Sequence, residues 1–213
     1  MICNALFFDL DGTLISSGKD IANSINLTRN HYNLQSLSEQ TIISAIGDGV
    51  SVLVQRVFPE FSSEQLNEAV NTFKMYYRQH LIDTTLPYNG VEEILIHFKD
   101  KKKAVISNKP YEASISILEK LKLASYFDVI LGGDSTPLRK PDPYPLQQVI
   151  KEFNVSPQTV VMIGDGSTDI ISGKAANVIT CAVGYGLKPK EELIALHPDY
   201  MIQNILELKE LFQ

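Results

Sequence analysis

Apolar and polar positions divide the chain into two kinds of segment. Short unbroken apolar runs occur at Ala5-Leu6-Phe7-Phe8, Ala104-Val105-Ile106, Val129-Ile130-Leu131, Val160-Val161-Met162-Ile163 and Ile179-Thr180-Cys181-Ala182-Val183, each followed by small or polar residues. A strand that is apolar on both sides suits a sheet covered on both faces, so these runs predict buried parallel strands. Between them the apolar spacing becomes helical. From Asn89, with Glu92 three residues on as a capping-box partner, Val91, Ile94, Leu95 and Phe98 form a stripe. Pro110 suits a first helical turn ahead of Ile115, Leu118 and Leu121, and further helices are predicted over Tyr144–Phe153 and 170–176. Strand alternating with helix predicts an α/β fold with a doubly wound, Rossmann-like, mostly parallel sheet.

Residues 16–86 have no comparable strand run. They predict helices over 20–32, 38–46, 50–58 and 63–82, with Ser62 and Gln65 as a capping box, and Pro87 and Gly90 marking the return. The expected organisation is an α/β core domain of residues 1–15 and 87–213 with a small inserted helical cap domain, residues 16–86.

At 213 residues the chain is long enough for a full apolar core without disulfides or a structural metal. A net charge of -6 removes the electrostatic case for nucleic acid or an anionic membrane, and any bound anion needs positive potential made locally. Cys3 and Cys181 have no partner at metal-ligand spacing and read as small buried hydrophobes. No basic leader or membrane-length apolar run is present, so the expected location is the cytoplasm. His31, His80, His97 and His197 fall away from the motifs below and read as surface or boundary residues.

The candidate chemistry sits where apolar runs end. Asp9-Leu10-Asp11-Gly12-Thr13 puts two acids at the end of the first run, with Gly12 allowing a sharp turn. Ligands of open α/β sheets lie beyond the carboxyl ends of strands, and a hard divalent cation offsets the repulsion between paired carboxylates. Ser107-Asn108-Lys109-Pro110 joins a hydroxyl and an amide to a helix start, which suits an anion. Arg139-Lys140-Pro141-Asp142-Pro143 holds two cations in a stiff loop, and Gly164-Asp165-Gly166-Ser167-Thr168-Asp169 puts two more acids at another strand end. Two acid pairs with a serine and a lysine between them predict one metal-and-phosphate site.

As a set, Phe8-Asp9-Leu10-Asp11-Gly12-Thr13-Leu14, Ser107-Asn108, Lys140-Pro141, and Gly164-Asp165 with Asp169 resemble the haloacid dehalogenase superfamily of phosphatases, over nearly the whole chain. Within it, Ser107-Asn108-Lys109-Pro110 and the run from Gly132 to Leu146 look most like phosphoglycolate phosphatases. Gly166 and Thr168 depart from the pattern, since relatives often carry Ser and Asn there.

The resemblance implies Mg²⁺-dependent hydrolysis of a small phosphorylated metabolite. Asp9 is then the nucleophile and Asp11 the general acid and base. The metal is held by Asp9, the Asp11 carbonyl and Asp165, while Asp169 orients a water on it. Thr13, Ser107, Asn108 and Lys140 bind the phosphate. Like-charge neighbours are expected to favour the protonated form of Asp11. The turn Ile46-Gly47-Asp48-Gly49-Val50 is a candidate to present N–H groups to the site. Arg29, Arg56 and Arg78 are candidate partners for a substrate carboxylate. The expected protein is a monomer or homodimer. Alternatives are a pyrophosphatase, a sugar-phosphate mutase or phosphatase, a nucleotidase, or a phospho-acceptor signalling domain.

Overall fold

Strand β1 (Ala5–Phe8) is fully buried, and its side chains alternate between two separate apolar clusters. The structure is a computed structural model that describes all residues, 1–213. After β1 come β2 (Ile15–Ser16), α1 (Gly18–His31), α2 (Glu39–Ser44), α3 (Val50–Val57), α4 (Ser63–Gln79) and β3 (Leu86–Pro87). The remainder is α5 (Val91–His97), β4 (Lys102–Ile106), α6 (Tyr111–Lys120), β5 (Val129–Leu131), α7 (Tyr144–Phe153), β6 (Val160–Gly164), α8 (Ser167–Ala175), β7 (Ile179–Val183), α9 (Lys190–Ile194), β8 (Tyr200–Ile202) and α10 (Leu208–Leu211).

Six strands form one parallel sheet in the order β5-β4-β1-β6-β7-β8. The two-residue side-chain period of a strand explains the two clusters. Leu6 and Phe8 join Val105, Val161 and Ile163 on one face, under Ile94 and Leu95 of α5 and Ile117 and Leu118 of α6. Ala5 and Phe7 join Ala104, Ile106, Val160 and Met162 on the other, under Leu146 and Val149 of α7. The predicted continuous apolar strands are therefore buried on both sides.

Strand order is what positions the site. From central β1 the chain builds outward through β4 and β5, then returns to the other flank of β1 as β6. That reversal places the switch point at the carboxyl ends of β1, β4 and β6, the crevice in which open α/β sheets hold ligands. Asp9, Ser107 and Asp165 each directly follow one of these three strands.

Helices α1–α4 pack on one another, and the first apolar cluster runs on from the sheet into Ile21, Val54, Phe58 and Phe73 of this insert. The short antiparallel ribbon β2–β3 closes its base, with Ile15 opposite Pro87 and Ser16 opposite Leu86. The ribbon is locked by Asp20 of α1, whose fully buried carboxylate accepts from the N–H and hydroxyl groups of Thr84 and Thr85 at 2.6–3.1 Å. Burial alone raises the Asp20 pKa, but these donors outweigh it and hold the group below its ordinary value of 3.8. A carboxylate with a depressed folded pKa stabilises the fold above the unfolded value and loses that contribution as pH falls through the folded one. Asp20→Ala is expected to cost about 3 kcal/mol at neutral pH in urea unfolding, with the penalty shrinking below about pH 4.

Several sequence expectations change in detail. The Ser62–Gln65 capping box forms, with Gln65 N–H to Ser62 Oγ at 3.3 Å and Ser62 N–H to Gln65 Oε1 at 2.9 Å. The Asn89–Glu92 box does not. Helix α5 starts after Gly90 at φ 90°, a left-handed value that glycine reaches without steric cost, and no side chain caps it. Strands β2, β3 and β8 were not predicted. They have two or three residues each, too few for a period, and stand in no unbroken apolar run bounded like that of β5, so only their partners mark them as strands.

Candidate active site

Gly12 makes the tight turn at the end of β1, at φ +86°. A Cβ there would lie 2.1 Å from Asp165 Oδ2, so only glycine lets the two loops approach this closely. The loops after β1, β4 and β6 converge on a cavity of about 640 Å³ whose wall includes Asp9, Asp11, Ser107, Asn108, Lys109 and Asp165. The wall continues across Ile46–Gly47 and α4 of the insert, so the cavity lies between sheet edge and helices.

Lys140 is 2% exposed and reaches from behind. Its Nζ lies 3.0 Å from Asp9 Oδ1 and 2.5 Å from Asp169 Oδ1. Asp9 Oδ2 accepts no hydrogen bond. Carboxylate oxygens of Asp9, Asp165 and Asp169 all fall within 4.8 Å of one another. Burial, then the like charges of Asp9 and Asp169, push the Asp165 pKa well above the ordinary aspartate value. Asp169 is raised to about 6, chiefly by burial and against the opposing pull of Lys140. Two buried carboxylates and the half-buried Asp9, with one ammonium among them, leave negative charge uncompensated, and an all-oxygen donor set of this kind fits a hard cation such as Mg²⁺. Asp165 is braced for that task by the Thr13 hydroxyl at 3.3 Å and the Leu187 N–H at 2.7 Å. Asp165→Asn, which removes one buried charge, is expected to be more stable than the parent in EDTA. It is also expected to lose the rise in Tm that Mg²⁺ gives the parent. An equal Mg²⁺ shift in both proteins would place the ion elsewhere.

The remaining expected residues take varied positions. Ser107 lines the cavity, and its Oγ accepts the Lys109 N–H at 3.3 Å, leaving its own proton unspent. The Asn108 amide donates to the carbonyls of Gly47 and Lys140 at 3.0 and 2.9 Å, so its side chain ties three loops together and aims no donor at phosphate. Its Oδ1 is buried without a partner. The backbone N–H groups of Leu10, Asp11 and Asn108 make no hydrogen bond within the protein and remain free for an anion. Thr13 is fully buried behind Asp165 and does not line the cavity. Gly47 turns its carbonyl, not its N–H, toward Asn108. Gly166 donates its backbone N–H to Asp169 Oδ2 at 2.9 Å, a bond indifferent to the side chain at 166.

Asp11 differs most from expectation. The groups bonded to it are a hydroxyl and a cation, not like charges: Ser17 Oγ lies at 2.5 Å, and Lys109 Nζ lies 3.0 Å from both carboxylate oxygens. Lys109 lies in a loop with no strand or helix period to mark where it points, so nothing in the sequence alone brings it to Asp11. Burial disfavours its charge, but Asp11 outweighs this and holds the lysine above its usual value.

The haloacid dehalogenase-like hydrolase family model matches residues 6–183, which span all the loops just described. The chain belongs to this family. Among curated relatives of this hydrolase, the phosphoglycolate phosphatase of Chromobacterium violaceum is 33% identical over 216 residues, covering 98% of this chain and 96% of the relative. The phosphoglycolate phosphatase of Neisseria meningitidis is 35% identical over 219 residues, covering 98% and 93%. A crystal structure of a predicted phosphoglycolate phosphatase from Haemophilus somnus superposes with a TM-score of 0.93 at 28% identity, covering 98% of this chain and 97% of that one. That superposition takes in both the sheet and the helical insert.

Proposed function

We propose that this hydrolase cleaves a small phosphate monoester, with phosphoglycolate as the leading substrate, through a phosphorylated Asp9. The observation that carries the reading is Asp9 itself. Its carboxylate lines the cavity at the sheet switch point, with one oxygen on Lys140 and the other free of hydrogen bonds. The phosphorus–ester oxygen bond breaks as Asp9 attacks in line. Lys140 offsets repulsion between Asp9 and the phosphate dianion, and the Ser107 hydroxyl with the free N–H groups of Leu10, Asp11 and Asn108 takes the equatorial oxygens. Asp11 gives a proton to the leaving alkoxide, then removes one from the water that hydrolyses the acyl phosphate. Asp9, the Asp11 carbonyl and Asp165 would hold Mg²⁺, which supplies charge neutralisation on the phosphoryl group, while Asp169 steadies Lys140 and the metal side of the site.

In this reading residues 16–86 close as a cap over the core, with β2–β3 as the ribbon on which they turn. The substrate is a small cytoplasmic metabolite, handled by a monomer or homodimer without nucleic acid or membrane; no helix is long and apolar enough to cross a membrane. The relatives named phosphoglycolate phosphatase support that choice of substrate over pyrophosphate, hexose phosphates or nucleotides. The test is a panel of these four compounds at matched Mg²⁺, read as kcat/KM. Phosphoglycolate is expected to lead by at least about tenfold, and a lead for any other compound overturns the substrate. Phosphate retained stoichiometrically on the protein, without turnover, would favour the phospho-acceptor domain.

A further inference from the structure

A phosphoglycolate site needs a partner for the carboxylate as well as for the phosphate, and none of the three predicted arginines is free to provide it. Arg29 is buried under Phe58 and donates to the carbonyls of Gln35 and Val57. Arg56 is spent on Asp48 and the Ala45 carbonyl. Arg78 stands exposed at the rim, paired with Glu112. Three lysines line the cavity: Lys74 is exposed, Lys188 donates to the Ser44 carbonyl, and Lys109, 7% exposed, is the one that stands on Asp11. An ammonium has three donors, and at most two are occupied by the Asp11 oxygens. Above it lies Tyr77 of α4, whose ring centroid is 4.5 Å from Lys109 Nζ. Tyr77 lines the same cavity and is 5% exposed, and its hydroxyl is buried with no hydrogen-bond partner.

We propose that Lys109 and the Tyr77 hydroxyl bind the carboxylate of the leaving group and make this site selective for short 2-carboxylate phosphate esters. The inference rests on the phosphatase reading above. The phenol oxygen can accept from the neighbouring ammonium, which leaves the Tyr77 O–H itself unspent; an ammonium beside a free O–H suits a carboxylate, and charge-assisted bonds of this kind discriminate strongly in a closed site. Reach decides which cation takes part. If Asp11 protonates the ester oxygen, that oxygen lies in contact with Asp11. In a two-carbon leaving group the carboxylate oxygens lie only about 3 Å farther on, from ordinary bond lengths. Lys109 touches Asp11 and meets that requirement, whereas rim cations such as Arg78 suit longer leaving groups. Because Lys109 belongs to the core and Tyr77 to the insert, the carboxylate also bridges the two, so recognition and closure draw on the same contact.

The test compares phosphoglycolate with ethyl phosphate, which has the same ester carbon but no carboxylate, in the parent, Tyr77→Phe and Lys109→Gln proteins. The readout is the ratio of kcat/KM for phosphoglycolate to that for ethyl phosphate. Tyr77→Phe keeps the ring and packing and is expected to lower this ratio about tenfold, mainly through KM. Lys109→Gln is expected to lower both activities, because Asp11 loses its partner, and to lower the ratio about 100-fold. Lys109→Arg should recover part of the ratio. A parent that does not prefer phosphoglycolate overturns the substrate reading and this inference with it. A parent that prefers phosphoglycolate, with the ratio unchanged in Tyr77→Phe and in Lys109→Gln, overturns the inference and leaves the phosphatase reading standing.

Discussion

Asp9→Asn is expected to lower kcat by roughly 10⁴-fold or more while leaving the fold intact, because an amide of the same shape cannot attack phosphorus. The substitution is mild for the structure. It removes the half-buried member of three carboxylates that crowd within 4.8 Å, and the Lys140 ammonium keeps Asp169 at 2.5 Å. Stability in EDTA should therefore equal or exceed that of the parent, which separates loss of chemistry from loss of fold. The assay is steady-state hydrolysis of p-nitrophenyl phosphate with Mg²⁺, beside a thermal melt. Activity within about tenfold of the parent would end the nucleophile assignment.

Lys140→Met should damage both stability and activity. Lys140 is the buried ammonium that meets Asp9 and Asp169, and burial is tolerable for these acids only while it is present. Removing one partner of a buried charge cluster leaves the others uncompensated, at a cost of about 3–5 kcal/mol. In a chain of this size that corresponds to a fall in Tm on the order of 10 °C. Mg²⁺ brings positive charge to the same carboxylates, so the loss should be smaller in Mg²⁺ than in EDTA. Turnover should fall by roughly 10³-fold, since the charge facing the phosphate dianion is gone. Unchanged urea unfolding in EDTA would contradict the buried charge balance drawn here.

Much of this was legible in the chain. The runs at Ala5-Leu6-Phe7-Phe8 and Val160-Val161-Met162-Ile163 suit strands covered on both faces, and they are such strands. The motif set identified the superfamily, which the family match over residues 6–183 bears out. Side-chain direction was less legible. Thr13 and Asn108 were expected at the phosphate, but the Thr13 hydroxyl turns to Asp165 and the Asn108 amide is spent on two carbonyls. Both residues lie in loops, where no period fixes which way a side chain faces.

By itself, the sequence determined the alternation of strand and helix, the helical insert and the acids at strand ends, because these depend on local spacing and on chemistry carried by adjacent residues. Only the tertiary structure decided that Lys109 sits on Asp11 beneath Tyr77, that Arg29 is buried for packing, and that Lys140 stands between Asp9 and Asp169. Those contacts join residues 29 to 131 positions apart in the chain, apart from the local bond of Arg29. They arise from the crossover that brings β4 and β6 to opposite flanks of β1, and no local pattern encodes which side chains such a crossover brings face to face.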